Sequence, residues 1–284
     1  PPCDVTLTLH KNTSTLTCHY CGYTTRIPDR CPACEEDKFT DIGTGTEKVE
    51  EQIAHLFEGI TTLRMDLDTA TTRTQFERII SDFSEHKADI LIGTQMVTKG
   101  LDFDHVSVVG ILDADTMLNL PDFRSYERTF QTLSQVAGRA GRNNTAGHVI
   151  LQTRSAESDI IRQITQGDYW QMFYTQMTER QLFHYPPFRR LIYVYLRHKD
   201  DELLEHLASD MAERLRQIFG ERVLGPDRPP IARLHSLYIR KIMLKIERQT
   251  STEKVRKNLI AIQQQMLSLP VAKNLNIYYD VDPL

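Results

Sequence analysis

ADILIGTQMVTKGLDFDHVSVVGIL, residues 88–112, decides the fold. Two apolar runs, Ala88 to Thr94 and Val106 to Leu112, read as buried strands. Between them, Gly93 to Phe103 is rich in Gly, Thr and Lys and can offer N–H groups and a cation to phosphates. By itself that loop is also what an ordinary strand-to-helix connection looks like. Upstream, GTGTEKVEEQIAHLFEG (43–59) reads as a helix with Thr44 and Glu47 placed as a capping box and Val49, Ile53, Leu56 and Phe57 on one face. TTLRMD (61–66) reads as a strand, and TTRTQFERIISDFSEH (71–86) repeats the helical period through Phe76, Ile79, Ile80 and Phe83. Downstream, a helix from about Asp122 to Ala140 precedes the strand AGHVILQT (146–153). Alternating strands and helices predict an α/β fold with a parallel, doubly wound sheet, whose ligands bind at the carboxyl ends of the strands.

Bulk composition sets the frame. The chain has 284 residues, 40% hydrophobic and 25% charged, values of an ordinary globular protein of about two domains. No apolar run reaches the roughly 18–20 residues of a membrane span, and the first residues are not a signal peptide, so a cytoplasmic protein without membrane contact is expected. The net charge of −4 is uneven. From Tyr185 onward 17 Lys and Arg face 12 Asp and Glu, against 17 and 26 before it. A basic C-terminal part suits nucleic acid or an acidic peptide, although most such faces are merely solvated.

All five cysteines lie in the first 34 residues: Cys3, Cys18, Cys21, Cys31 and Cys34. Two C-x-x-C turns, Cys18–Cys21 and Cys31–Cys34, point two sulfurs each at one centre and suit a tetrahedral zinc ion, with free or redox thiols as the alternative. Spacing alone groups those four around one ion and leaves Cys3 over. Pro1-Pro2-Cys3 looks like the tail of a further C-x-x-C that starts before residue 1, so a piece cut inside a metal module is expected.

QVAGRAGR (135–142) places two arginines three apart, each after a glycine. A helix ending in glycine often carries arginines that complement its dipole. Following GTQMVTKGLDF, however, the stretch resembles motifs V and VI of superfamily 2 helicases. Gln135, Gly138, Arg139, Gly141 and Arg142 match the Q-x-x-G-R-x-G-R of motif VI. Together with the cysteine pairs, GTGTEKVEEQI, DFRSYERTFQTLSQVAGRAGR and the terminal YDVDPL, the whole chain resembles the PriA family of replication-restart helicases.

That resemblance implies a fold and a set of roles. Residues 1–38 would be part of a cysteine-rich zinc module, 39–184 a RecA-like second helicase lobe, and 185–284 an α+β domain. ATP with Mg²⁺ binds between two such lobes and translocation runs 3′ to 5′ on DNA. Arg142 is expected as the finger on the γ-phosphate with Arg139 beside it, and Gln135 as the coupling residue. Gly100 and Asp102 would touch the nucleotide, and Thr94 and Lys99 the DNA backbone. Asp102 as a local turn cap and Lys99 as a solvated charge stay open. The family carries two zincs with interleaved ligands, which puts Cys3, Cys18 and Cys21 in one site and Cys31 and Cys34 in the other; this grouping is preferred. No G-x-x-x-x-G-K-[ST] occurs in the sequence, so the chain alone is expected to hydrolyse no ATP.

Beyond Pro186-Pro187, LIYVYLR (191–197), a five-turn helix from Asp200, strands near 231–234 and 237–247, a helix over 252–268 and NIYYDV (276–281) give a β-α-β-β-α-β order with helices on one face. Arg240, Lys241 and Lys245 near Tyr238 suit phosphate contact and base stacking. Lys254 and Asn258, four apart on one helix face, could instead receive the acidic tail of single-stranded DNA-binding protein. The solvated reading of both groups stays open. Trp170 is expected to pack under the domain junction. Forked or single-stranded DNA, single-stranded DNA-binding protein and primosome proteins are the implied partners. The rival function is a non-catalytic zinc-ribbon scaffold that binds DNA or a replication protein.

Overall fold

A computed structural model describes every residue except 1, 6, 11–14, 19, 31–33, 37–44, 67, 95, 96, 98–102, 104, 139, 142–146 and 284. The chain divides into two compact units, residues 40–177 and residues 1–39 together with 178–284. The cysteine-rich stretch thus shares a unit with the C-terminal region. No helix among the described residues is long and apolar enough to cross a membrane.

In residues 40–177 the strands pair in parallel, as their apolar runs and intervening helices require. Strand β4 (Thr62–Met65) pairs with β5 (Ile90–Gly93), and β6 (Val108–Ile111) with β7 (His148–Leu151). Among the described residues these are two separate two-stranded ladders rather than one continuous sheet. Helix α1 (Thr46–Leu56) starts after Gly45, which caps it without a side-chain hydrogen bond. The expected cap Thr44 lies outside the described residues, and the Thr46 hydroxyl donates to Asp66 instead. Leu56 and Phe57, expected on the buried face, are 73% and 52% exposed. Helix α2 (Arg73–Ser84) carries a true capping box between Thr72 and Gln75. It lays Phe76, Ile79, Ile80 and Phe83 on Met65 and Phe103. Helices α3 (Ala114–Leu118), α4 (Ser125–Ala137), α5 (Asp159–Gln166) and α6 (Tyr169–Leu182) follow. Leu118, Phe130, Ile160, Ile161 and Met172 form the second core. Trp170 corrects an expectation: it is 63% exposed, in a row of rings with Tyr169, Phe173 and Tyr174.

Asp66 closes the first turn after β4. It accepts from the Thr69 N–H at 2.9 Å and the Asp68 N–H at 3.0 Å, and pairs with Arg64 at 3.0 Å. Burial pushes its carboxyl up, but the Thr46 and Thr69 hydrogen bonds and the Arg64 charge outweigh burial and hold it below the ordinary carboxylate value. A depressed carboxylate stabilises the fold above its unfolded value and loses that contribution as pH falls through the folded value. Melting temperature should therefore drop on acidification below about pH 4, with a smaller drop in Asp66→Asn. An identical acid profile in that variant would contradict the assignment.

The other unit begins with the small antiparallel sheet β1 (Thr8–His10), β2 (Thr15–Thr17) and β3 (Thr24–Arg26). The C-terminal sheet contains β8 (Arg189–His198), β9 (Val223–Asp227), β10 (Arg233–Leu234), β11 (Leu237–Glu247) and β12 (Asn276–Val281). Its order is β10-β11-β8-β12, with β9 also on β11, all antiparallel. Strand β9 is absent from the sequence-derived order because Gly225-Pro226 interrupts it. Proline cannot donate to a ladder, and the register shifts between Lys241 and Met243 where β9 pairs.

Helices α7 (Asp201–Phe219) and α8 (Thr252–Leu267) cover one sheet face. Asp200 caps α7 by accepting from the Leu203 N–H, and Ser251 caps α8. Leu204, Leu207, Ala208, Met211, Leu215 and Phe219 recur at helical spacing and pack on Ile192, Val194, Leu196, Ile242, Leu244 and Ile246. Each fully buried Leu or Met here contributes about 1.5–3 kcal/mol.

Candidate functional site

Two loops of residues 40–177 carry the helicase-like motifs. The first is pinned at both ends. At its start, a Cβ on Gly93 would lie 2.1 Å from Val97 Cγ2 and 2.7 Å from the Met65 carbonyl, so only glycine fits against β4. At its end, Phe103 is buried edge-on against Phe83, with ring centroids 4.8 Å apart. Thr94 is exposed just past the carboxyl end of β5. Lys99, Gly100 and Asp102 lie outside the described residues.

The second loop leaves α4 at Gly138, its C-cap. Gly141, with φ of +75°, donates its N–H to the Val106 carbonyl at 3.0 Å. A Cβ on Gly147 would fall 2.3 Å from the Ala140–Gly141 peptide, so Gly147 lies against that peptide with no room for a side chain. Gln135 is exposed in the last turn of α4. Arg139 and Arg142 lie outside the described residues. The Gly141 bond seats this loop at the amino ends of β6 and β7, beside the segment that leads out of the first loop. Thr94 thus lies at a carboxyl strand end, as expected, and Gly141 at an amino end. The helix N-terminus before it is fixed by Asp122, which accepts from the Arg124 N–H at 2.9 Å and from Arg128 at 3.1 Å.

The C-terminal sheet changes the basic set. Arg240 is 1% exposed, bonded to Glu205 at 2.6 Å, Asp201 at 2.5 Å and the Ile239 carbonyl at 3.1 Å. It faces the helices with Ile242 and Leu244, and so cannot present its guanidinium to DNA. Its partners are 31% and 50% exposed, which screens the carboxylates left behind by truncation. We expect Arg240→Ala to cost about 2–4 kcal/mol, read as a lower denaturation midpoint with unchanged DNA affinity; weakened DNA binding in a stable variant would restore Arg240 as a contact.

Lys241 and Lys245 are on the opposite face. Lys241 lies 4.9 Å from the Tyr193 ring centroid. Lys245 lies 3.7 Å from that of Tyr185, donates to the Phe183 carbonyl at 2.7 Å, and is held below the ordinary lysine value by burial and then by Arg189. It lines a cleft of about 440 Å³ where Arg189 and Arg222 both bond Glu247. On the same face Tyr195 and Tyr278 stack at 4.9 Å, with Arg197 4.6 Å from the Tyr278 ring centroid. Sequence reasoning missed this ladder. The alternation in LIYVYLR already put Tyr193, Tyr195 and Arg197 on one face, but the pairing with Tyr278 depends on β12. Lys254 is exposed at the start of α8 with Asn258 half-buried one turn on.

In the cysteine-rich stretch, the sulfurs of Cys3, Cys18 and Cys21 lie within 4.8 Å of one another. The turn is built by Gly22 N–H to Cys18 O at 2.9 Å and Cys18 N–H to Tyr23 O at 2.8 Å. Burial raises the Cys18 thiol, yet hydrogen bonds from Cys21 and Tyr20 outweigh it and bring Cys18 below its ordinary value. Cys21 is raised: its hydrogen bond with the Tyr23 backbone lowers it, but burial and the neighbouring sulfurs prevail. Converging, partly buried thiols of this kind fit a soft divalent ion such as zinc. Cys34 is exposed and outside the cluster, and Cys31 lies outside the described residues. Among the described residues, the sulfurs that converge are those of Cys3, Cys18 and Cys21.

Three family models match the chain: "PriA DNA helicase Cys-rich region (CRR) domain" over residues 1–26, "Helicase conserved C-terminal domain" over 38–144, and "Primosomal protein N C-terminal domain" over 181–284. Among similar proteins, "Replication restart protein PriA" of Bacillus subtilis (strain 168) is 37% identical across 100% of this chain and 35% of its own length. The protein of that name from Chlamydia pneumoniae is 39% identical over 68% of the chain and 26% of its own length. The Rickettsia conorii protein is 32% identical over 99% and 42%. The chain therefore spans about a third of the length of the first of these relatives.

Proposed function

Since the chain belongs to the PriA family, matching the C-terminal part of its relatives, we propose that it supplies the arginine-bearing second lobe, the metal module and the C-terminal DNA-contacting domain of an ATP-dependent 3′-to-5′ DNA helicase acting in the cytoplasm. That helicase would restart stalled replication forks and help assemble the primosome. The observation that carries this reading is the second loop, where Gly141 bonds the Val106 carbonyl at the entrance of β6 and Gly147 lies against the Ala140–Gly141 peptide; the arginines of QVAGRAGR would act from this edge of the lobe. A guanidinium offers a planar fork of donors to phosphate oxygens, so Arg142 and Arg139 would reach ATP with Mg²⁺ held by a partner lobe. Gly100 and Asp102 would line the same nucleotide, and Gln135 would couple it to DNA held by Thr94 and Lys99.

On the C-terminal domain, Lys241 and Lys245 with the neighbouring Tyr195–Tyr278 stack suit forked or single-stranded DNA, because cations hold phosphates and rings hold bases. Lys254 and Asn258 would receive the acidic tail of single-stranded DNA-binding protein. Cys3, Cys18 and Cys21 would hold one zinc, and Cys31 with Cys34 part of a second. Mixing the chain with a separately produced Walker-A-bearing lobe tests the proposal. ATP turnover should appear only in the mixture and rise with single-stranded DNA. DNA binding without any turnover in the mixture would favour a scaffold instead.

A further inference from the structure

The tightest turn of the C-terminal sheet joins β10 to β11 through His235 and Ser236, with Leu234 paired to Leu237. Both turn residues have positive φ, +49° and +64°. A two-residue hairpin of this hand normally uses Asn-Gly or another glycine-containing pair, so two side-chain-bearing residues are held here in an unfavourable conformation. Such strain persists where surrounding contacts fix it. Three hydrogen bonds from the cysteine-rich stretch supply such contacts. The His235 N–H donates to Cys3 Sγ at 3.2 Å, the Ser236 N–H to the Pro2 carbonyl at 2.7 Å, and the Asp4 N–H to the Arg233 carbonyl at 2.8 Å. Cys3 is buried, and its sulfur is one of the three that converge.

We propose that the His235–Ser236 turn is the outer clamp of the metal centre, its His235 amide donating to the Cys3 thiolate, so that metal loading and docking of the β10–β11 hairpin are one coupled event. The physical reason is charge. A thiol accepts a weak hydrogen bond, whereas a metal-held thiolate accepts a strong, charge-assisted one. Partners one shell out orient a ligand and set its basicity, and losing one typically lowers metal affinity about 10–100-fold. Coupling is reciprocal, so the metal should tighten the hairpin by a similar factor. The inference rests on the reading of Cys3, Cys18 and Cys21 as zinc ligands. It goes beyond that reading by giving the C-terminal domain a part in holding the ion.

Amide hydrogen exchange on the full chain, zinc-loaded and then chelator-stripped, tests it. The His235 and Ser236 amides should exchange about 10–100-fold faster after stripping, while those of Leu196 and Leu244 in the sheet core stay unchanged. With cadmium-113 in place of zinc, a scalar correlation should link the metal to the His235 amide proton through Cys3 sulfur. His235→Pro, which removes the donor and also cannot hold the φ of +49°, should weaken zinc binding by at least that factor, and His235→Ala, which keeps the amide, should not. A chain that binds neither zinc nor cadmium overturns the ligand reading and the clamp together. A chain that binds metal with unchanged exchange at His235 and Ser236 overturns the clamp alone. Because the exchange comparison uses the unaltered sequence, misfolding of the proline variant does not rescue the idea.

Discussion

Replacing Arg142 with alanine should lower ATP turnover by the mixed lobes about 10³–10⁵-fold, the range over which a finger supplied in trans acts. Charge accumulates on the transferred phosphoryl group at the transition state, and a guanidinium brought from the second lobe neutralises it only when the lobes close. Nucleotide affinity of the partner lobe should change far less than turnover, because the finger acts mainly on the transition state. Lysine at 142 should restore little, since it lacks the planar fork. Arg139→Ala should cost less than Arg142→Ala if Arg142 is the residue on the γ-phosphate; the reverse order of effects in steady-state kinetics would exchange their roles.

The second large effect is expected at the thiol cluster. Structural zinc in small modules contributes about 10–16 kcal/mol of apparent binding free energy, more than β1, β2 and β3 can supply with three residues each. Cys18→Ser should therefore release the ion and unfold the cysteine-rich stretch. The core between α7, α8 and the C-terminal sheet is built of other residues and should survive. Limited proteolysis with metal quantification would show cleavage confined to residues upstream of α1. Cys34→Ser should keep the ion bound by the Cys3, Cys18 and Cys21 cluster. Loss of that ion in Cys34→Ser would favour the grouping by spacing, in which Cys18, Cys21, Cys31 and Cys34 share one ion.

Much of this fold was legible because its determinants are local. ILIG and VVGI are short apolar runs between helices whose apolar residues recur at helical spacing, and such runs pair in parallel. Helix α2 announces its own start through Thr72 and Gln75. Strand β9 hid behind Gly225-Pro226, a pair that reads as a turn. The burial of Arg240 was available in RKIMLKIE, whose alternation sets Arg240 with Ile242, Leu244 and Ile246 and against Lys241, Met243 and Lys245. Its basic side chain masked that pattern, and only the acids of α7 explain how it is tolerated. The exposure of Trp170 follows from the surroundings of α6, which no local pattern encodes. At the site, the glycines of QVAGRAGR marked the arginine loop, but its position at the amino ends of β6 and β7 follows from one long-range hydrogen bond. The convergence of Cys3 with Cys18 and Cys21 likewise joins residues that spacing alone keeps apart.

The most direct test of the arginine-loop account is trapping of a transition-state mimic. Wild-type chain mixed with a Walker-A-bearing lobe, ADP, Mg²⁺ and aluminium fluoride should form a long-lived closed complex. Arg142→Ala should release the nucleotide at least about 100-fold faster, in proportion to the transition-state contact removed. Equal lifetimes for the two chains would contradict the account, because the loop built by Gly138, Gly141 and Gly147 would then present no arginine to the phosphate.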